Sequence, residues 1–431
     1  MGNEFPICTI HSCVIQEDMR NQPFVERSLS TTLSRAVDQF PAVVVTGPRQ
    51  SGKTTLIQHH FRETHRYCSL DDALIREQAE SDPNLLLARF KPPVMFDEIQ
   101  YAPSLLHAIK AEIDRDRRAR GRFVITGSQT FPLMQGVTES LAGRTAVLSL
   151  LSLDQRERLG MPDGDLSPRD LLQRGVGANA ESPFRDVLEY AAAALRGGFP
   201  EPALDTGIDI PLWHASYVRT YLERDVRSLR AVGDLSDFQR FLFALAARTG
   251  QLINYSGLAR DLGLTGKTVK AWISLLETSG QVLVVRPYHA NIGKRLVKSP
   301  KVYFLDTGTL AYLLDLREPE QMLRGVAAGP VFEAAVLGQL LRLFVHRGET
   351  PRLYFWRTAK GHEVDFIVEI GSTLYPIEVK LTATPSVRDA AGIEGLRSLF
   401  GPKVGRGLVV CLCRKAVPLT ANTDAVPFGF F

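Results

Sequence analysis

The chain predicts an α/β fold in more than one domain, and three observations carry that expectation. Strand-like apolar runs alternate with amphipathic helical stretches. A length of 431 residues exceeds what one ordinary hydrophobic core holds. The composition, 45% hydrophobic and 23% charged, is that of a globular chain. A formal charge of +4 and a pI of about 8.7 permit a nucleic-acid partner without requiring one. Five cysteines, none in a Cys-x-x-Cys pair, suit reduced thiols and give no zinc site. No apolar run reaches membrane-spanning length and no leader pattern opens the chain, so a cytoplasmic protein with no membrane partner is expected.

Residues 1–27 show no period and read as a flexible tail, or as excess ahead of a start at Met19. The first unit, 28–158, carries strand-like runs at 42–46, 94–96, 123–126 and 146–151 between helical stretches, the pattern of a parallel sheet. Gly47-Pro48-Arg49-Gln50-Ser51-Gly52-Lys53-Thr54 fills every fixed position of G-x-x-x-x-G-K-[ST]. The flanks Val43-Val44-Val45 and Thr55-Leu56-Ile57 supply the strand before it and the helix after it. Backbone N–H groups of such a loop cradle phosphates at a helix N-terminus, Lys53 reaches the β and γ phosphates, and Thr54 offers a hydroxyl to Mg²⁺. ATP and Mg²⁺ are therefore the expected ligands, held by residues 47–55. Val94-Met95-Phe96-Asp97-Glu98 is the apolar strand ending in acids: Asp97 for the magnesium, Glu98 to polarise the attacking water. A third strand ends at Gly127-Ser128-Gln129, where Ser128 or Gln129 is placed to sense the γ-phosphate. Arg144 suits a phosphate of its own subunit or a neighbour's, or a plain surface position.

The stretches Gly47 to Thr55, Phe96-Asp-Glu-Ile-Gln, Thr126-Gly-Ser-Gln and Glu139-Ser-Leu-Ala-Gly-Arg144 resemble prokaryotic AAA-superfamily ATPases related to the archaeal and STAND-type ATPases. More narrowly, the chain from about residue 25 to 409 is similar to a group that joins such an ATPase to a C-terminal domain of unknown function. The resemblance implies a P-loop NTPase sheet with a helical lid. Residues 159–232, with a Gly/Pro/Asp/Ser-rich stretch at 160–182 and a break at Gly197-Gly198-Phe199-Pro200, would supply the linker and that lid.

Within 233–316, residues 253–277 read as two helices around a tight turn near Gly263, the second capped by Thr265. Leu258, Ala259 and Leu262 pack from the first, and Val269, Ile273 and Leu276 form the apolar stripe of the second. This is a helix-turn-helix pattern, extended to a winged helix by strands at 282–286 and 301–305. Lys267, Thr268, Lys270 and Ser274 face outward, and Asn291, Lys294, Arg295, Lys298 and Lys301 populate the wing. DNA is the expected partner; a lid or protein-docking module is the alternative.

The last unit, 317–431, places Asp365 at the start of one strand and Glu378-Val-Lys380 on the next, across a Gly371-Ser372 turn. With period two, Glu378 and Lys380 share a face and Asp365 comes alongside. Two carboxylates then hold Mg²⁺ while Lys380 positions water. The arrangement resembles the PD-(D/E)xK nuclease signature of an α/β restriction-nuclease-like domain, and Glu333 on the preceding helix matches the extra acid that many of that superfamily carry. The same residues also suit a solvated ion network or an idle nuclease-like fold. Pro376 implies a sheet edge or a bulge. The expected whole is an Mg²⁺-dependent ATP-binding protein and ATPase acting with nucleic acid. The alternative is an ATP-driven switch or a partner-regulated stress or defence module, as a homo-oligomer or with a protein partner.

Overall fold

A computed structural model describes residues 24–128, 136–137, 139–161, 167–174, 180–222, 235–289, 299–358 and 361–429. Gln129 and the wing residues Asn291, Lys294, Arg295 and Lys298 lie outside that set, as does the tail up to residue 23.

Five parallel strands form the first sheet: β1 (Ala42–Thr46), β2 (Arg66–Ser69), β3 (Val94–Asp97), β4 (Phe123–Thr126) and β5 (Thr145–Ser149), in the order β2-β3-β4-β1-β5. The β-branched run of β1 is buried on both faces, as a central parallel strand requires. Val44, Phe96 and Ile125 face one helical layer, while Val43, Val45, Met95 and Val124 face the other. Because β4 lies between β1 and β3, the C-terminal ends of all three open onto one edge, where ligands of open parallel sheets bind. Residues 24–27 are part of this unit: Phe24 stacks on His59, and Arg27 is buried. The expected tail boundary at residue 27 thus falls too late.

The rest of the chain is a second body around one core. An eight-stranded sheet runs β12-β13-β11-β10-β9-β8-β6-β7, with β6 (Val282–Pro287), β7 (Lys301–Phe304), β8 (Leu353–Arg357), β9 (Glu363–Ile370), β10 (Thr373–Val379), β11 (Gly407–Cys411), β12 (Val417–Thr420) and β13 (Thr423–Pro427). The antiparallel hairpin β6–β7 follows the helices Leu235–Ala246, Tyr255–Leu262 and Gly266–Thr278, and joins the C-terminal strands through Arg286 opposite Tyr354. A boundary between separate domains at 316 is therefore not observed; the sheet crosses it. Gly263 ends the first helix of the turn in the left-handed region, and Thr265 caps the next through the Thr268 N–H, both as expected. The stretch 160–182 is not wholly an exposed linker, since Leu171 and Leu172 on the helix Pro168–Arg174 are buried. Pro376 sits in an interior strand. Leu374 bridges Val404 while Ile377 pairs with Leu408, so one extra residue on the β11 side makes a bulge where the missing N–H is tolerated.

The helix Ala328–Val345 is apolar around most of its circumference, interrupted by Glu333, Gln339 and Arg342, and runs through this core, which explains why it is long and apolar enough to cross a membrane by composition while 78% of that window is buried. Phe332 on this helix packs edge-on against Tyr190 and Phe428, joining the helix Val187–Arg196 to the last strand region. Phe332→Ala is expected to destabilise the second body by about 3–5 kcal/mol. In thermal unfolding the helix Val187–Arg196 and the C-terminal strands should be lost in the same transition; separate transitions contradict a shared core.

Candidate functional site

The phosphate loop follows β1. Gly47 takes φ 145°, and a Cβ there would lie 2.1 Å from the Leu150 carbonyl oxygen, so only glycine lets the loop leave the sheet at this point. Gln50 adopts φ 60°, which for a residue with a side chain is held by its surroundings. Lys53 is buried and folds back to donate to the carbonyls of Pro48 (2.8 Å) and Gly47 (3.3 Å). Arg49 is half-buried and Thr55 exposed at the start of the helix Lys53–Phe61. The hydroxyls of Ser51 and Ser128 are buried with no protein partner, an arrangement that suits incoming phosphate oxygens.

Asp97 is the hub of the site. Its carboxylate accepts from Thr54 Oγ1 at 3.0 and 2.9 Å, from the Tyr67 hydroxyl at 2.8 Å and from Thr126 Oγ1. Thr54 and Asp97 are thus together, as expected for a Mg²⁺ position. Burial and the Asp97 charge push the Tyr67 phenol up. Glu98 stands in the left-handed region at φ 59°, with its N–H donating to Thr126 Oγ1. Gln100 clamps it: Nε2 donates to the Glu98 carboxylate and Oε1 accepts from the Ser128 N–H at 3.2 Å. Tyr67 and Gln100 were not evident from the sequence; Gln100 stands two residues after Glu98, the one local signal available. The turn Gly197 to Pro200 closes over the loop, with Pro200 Cγ 3.6 Å from where a Gly52 Cβ would be.

Arg144 does not reach this site. It precedes β5, whose first residue pairs with Ala42, so it lies at the opposite edge, about 16 Å away at ~3.3 Å per strand residue. There it forms a two-pronged bond to Asp114, at 2.9 and 3.0 Å. The reading in which Arg144 serves its own subunit's nucleotide is corrected accordingly.

The acid site lies in the second body. Asp365 on β9 and Glu378 on β10 meet one step beyond the paired residues Phe366 and Ile377, and the Val379 N–H donates to Asp365 Oδ2 at 2.8 Å. Glu378 Oε1 accepts from Lys380 Nζ at 2.6 Å, while Oε2 is buried with no partner. Glu333 accepts from the Tyr303 hydroxyl at 2.9 Å. Burial, then the Asp365 charge, pushes Glu333 up to about 7 and Glu378 up to about 8; burial also raises Asp365. Burial disfavours the Lys380 ammonium, but the charge and hydrogen bond of Glu378 together with the Asp365 and Asp389 charges outweigh it and leave its pKa raised. Asp365 repels both Glu378 and Glu333, and the orphaned Glu378 oxygen suits a divalent cation shared with Asp365; the ligand atoms of all three acids do not gather within 4.8 Å of one another. Gly392 permits the closure: a Cβ there would meet the Glu363 carbonyl at 2.1 Å.

Lys301 is corrected from wing cation to wall of this site. It is buried on β7, 2.7 Å from Glu363, and its charge lowers Glu333 and Asp365. Sequence spacing could not show this, because β7 reaches the acids only through the β6–β8 pairing. Lys267, Lys270 and Ser274 are exposed and Thr268 is half-buried on the second helix of the turn.

A third cluster lies between the two bodies. Ligand atoms of Asp154, Glu157 and His346 fall within 4.8 Å of one another. All four carboxylate oxygens, however, already accept from Ser28 or from each other's N–H, and Arg27 lies 3.1 Å from Glu157. The cluster is a salt-bridged seam rather than a cation site.

Comparison with known proteins divides the chain into three segments, the last two of which share the core of the second body. Residues 39–159 match the family described as an AAA domain. Residues 187–320 and 328–431 match two families described as domains of unknown function, DUF8612 and DUF4143. The uncharacterized proteins Rv2008c of Mycobacterium tuberculosis and Mb2031c of Mycobacterium bovis are each 31% identical over 404 residues, covering 93% of this chain and 83% of the relative. The chain belongs to their family. Its first unit is an AAA-type ATPase domain. Among solved structures, the Walker-type ATPase paby2304 of Pyrococcus abyssi is 16% identical, with 67% of this chain and 96% of that chain covered at a TM-score of 0.38. A Thermotoga maritima RuvB variant is 18% identical, with 60% and 88% covered at 0.26. Scores this low record a partial likeness of backbone course.

Because Glu378 and Glu333 hold protons near neutral pH, a cation entering the acid site must displace them. Titrating Mn²⁺ at pH 7 into nucleotide-free protein, in buffers of different ionisation heat, should show release of about one proton per ion or more. Buffer-independent heats contradict cation binding by these carboxyls.

Proposed function

We propose that this protein is a Mg²⁺-dependent ATPase that works on DNA, and that its acid site cleaves phosphodiester bonds. The observation that carries the reading is the buried set Glu333, Asp365 and Glu378 with Lys380 beside it, which retains an unpartnered Glu378 oxygen. A solvated ion network leaves its acids in water, whereas these are buried and hold protons near neutral pH that a cation can replace.

In the ATPase unit, Lys53 and the loop N–H groups hold the phosphates, and Thr54 and Asp97 hold Mg²⁺. Glu98, aimed by Gln100, orients and deprotonates the attacking water, and the Ser128 hydroxyl contacts the γ-phosphate. Arg144, remote from its own loop, suits the nucleotide of a neighbouring copy in a homo-oligomer. In the second body, a Mg²⁺ bound by Glu333, Asp365 and Glu378 would polarise the phosphodiester. Lys380, kept as an ammonium, orients water toward phosphorus rather than removing its proton. The exposed face of the helix Gly266–Thr278, as the second helix of a winged helix, places Lys267 and Lys270 against duplex phosphates.

Plasmid and linear DNA incubated with Mg²⁺ or Mn²⁺, with and without ATP, test the reading. Cleavage by the wild type and its loss in Asp365→Ala and Lys380→Ala are expected. Equal cleavage by these variants, or none under any condition, overturns the nuclease assignment and favours an ATP-driven switch with an inert C-terminal body. Lys53→Ala should slow ATP hydrolysis by about 100-fold or more; an unchanged rate overturns the ATPase assignment.

A further inference from the structure

We propose that Arg27 is a positioning residue for the phosphate loop and that the C-terminal helix Ala328–Val345 fixes its setting, so that nucleotide binding and the state of that helix are coupled. The inference rests on nucleotide binding at the loop and is independent of any chemistry at the acid site.

Arg27 is buried, and its guanidinium spans two elements. Nη1 donates to the Ser51 carbonyl at 2.8 Å, and Nη2 donates to the Leu151 carbonyl at 2.7 Å. In a planar trans peptide the C=O and the following N–H point opposite ways. Holding the Ser51 carbonyl toward Arg27 therefore turns the Gly52 N–H away from it, toward the cradle. The third nitrogen, Nε, lies 3.1 Å from Glu157 Oε1.

The C-terminal helix grips the same segment. Gln339 Oε1 accepts from the Gln155 N–H at 3.2 Å. Arg342 donates to the Ser152 carbonyl (2.9 Å), the Ser152 hydroxyl (2.6 Å) and the Leu305 carbonyl (3.1 Å). His346, at the helix end, accepts from the Leu151 N–H through Nε2 at 3.2 Å. Spacings of three and four place these side chains on one face. Burial keeps the His346 ring neutral, so with Nε2 accepting, the proton sits on Nδ1, which faces Glu157 Oε1 at 3.5 Å and Asp154 Oδ2 at 3.9 Å. Leu151 is thus held from both sides, its carbonyl by Arg27 and its N–H by His346.

Glu333 lies on the same helix, 13 residues before His346, about 20 Å at ~1.5 Å per residue. One helix therefore spans from the segment that sets the loop to the acid site. A loop that reorients Ser51 on binding phosphate pulls on Arg27 and changes what the helix holds. By linkage the helix biases the loop to the same degree.

Amide exchange of the full-length protein with and without Mg·ATP tests this without any variant. Exchange in peptides covering 151–157 and the end of the helix at 339–346 should change by about fivefold or more on saturation. Calorimetry of ATP binding supplies the second arm. His346→Leu, which removes the acceptor for Leu151, and Arg27→Gln should each weaken ATP about fivefold or more, while His346→Gln, which keeps an acceptor, stays within about twofold of wild type. A saturated loop with unchanged exchange at 339–346 overturns the coupling. So does a His346→Leu protein that melts earlier yet binds ATP with wild-type affinity, the result a purely structural histidine gives. Absence of any saturable ATP binding by the wild type overturns the nucleotide reading itself, and the coupling with it.

Discussion

Charges buried where the AAA-type domain meets the second body tie the phosphate loop to the helix that carries Glu333. Asp154 and Glu157 cap their own short helix by reciprocal bonds, and the Arg27 guanidinium lies against Glu157. Arg342 reaches across to Ser152 from the far side. Removing such groups from water costs several kcal/mol per ion by order of magnitude, and the cost is offset only when every lone pair and proton finds a partner. The seam meets that condition almost completely: Arg27 Nε and His346 Nδ1 form no aligned hydrogen bond but lie 3.1 and 3.5 Å from the Glu157 carboxylate. A polar seam of this kind admits few alternative dockings, because sliding it by one bond would strand a charge.

The two candidate sites follow opposite electrostatic rules. In the ATPase unit, Asp97 is surrounded by hydroxyls that donate to it, so it is ready for the hydrated metal of an incoming nucleotide. In the second body, the Asp365 charge repels both Glu333 and Glu378, with Lys301 and Lys380 as the balancing cations. That set is stable at neutral pH by retaining protons, and each cation bound replaces protons with a stronger partner.

What could be read from the sequence was what local pattern encodes. The P-loop and β1 were legible because a β-branched run, fixed glycines and a following helix lie within fifteen residues, and β4 was legible as a short apolar run of its own. The helix-turn-helix was legible from Gly263 and Thr265, and the β9–β10 hairpin from period two around Gly371. What could not be read depends on pairing between distant segments. Lys301 looks like a loop cation until β6 is seen beside β8. Arg144 looks close to the nucleotide until the parallel register puts it at the far edge. Arg27 and His346 carry no motif at all, and they meet across 319 positions of sequence through Glu157. That the sheet continues across residue 316 was hidden for the same reason, since a sheet edge gives no sign in sequence of which strand will cover it.

The central claim is that one chain holds two cation sites in a fixed relation, one for nucleotide and one for phosphodiester chemistry. Anomalous diffraction from crystals grown with Mn²⁺ and a non-hydrolysable ATP analogue addresses it directly. Peaks are predicted beside Thr54 and Asp97 and again among Glu333, Asp365 and Glu378. A peak at the phosphate loop alone, with the three carboxyls unligated at pH 8, would contradict the account.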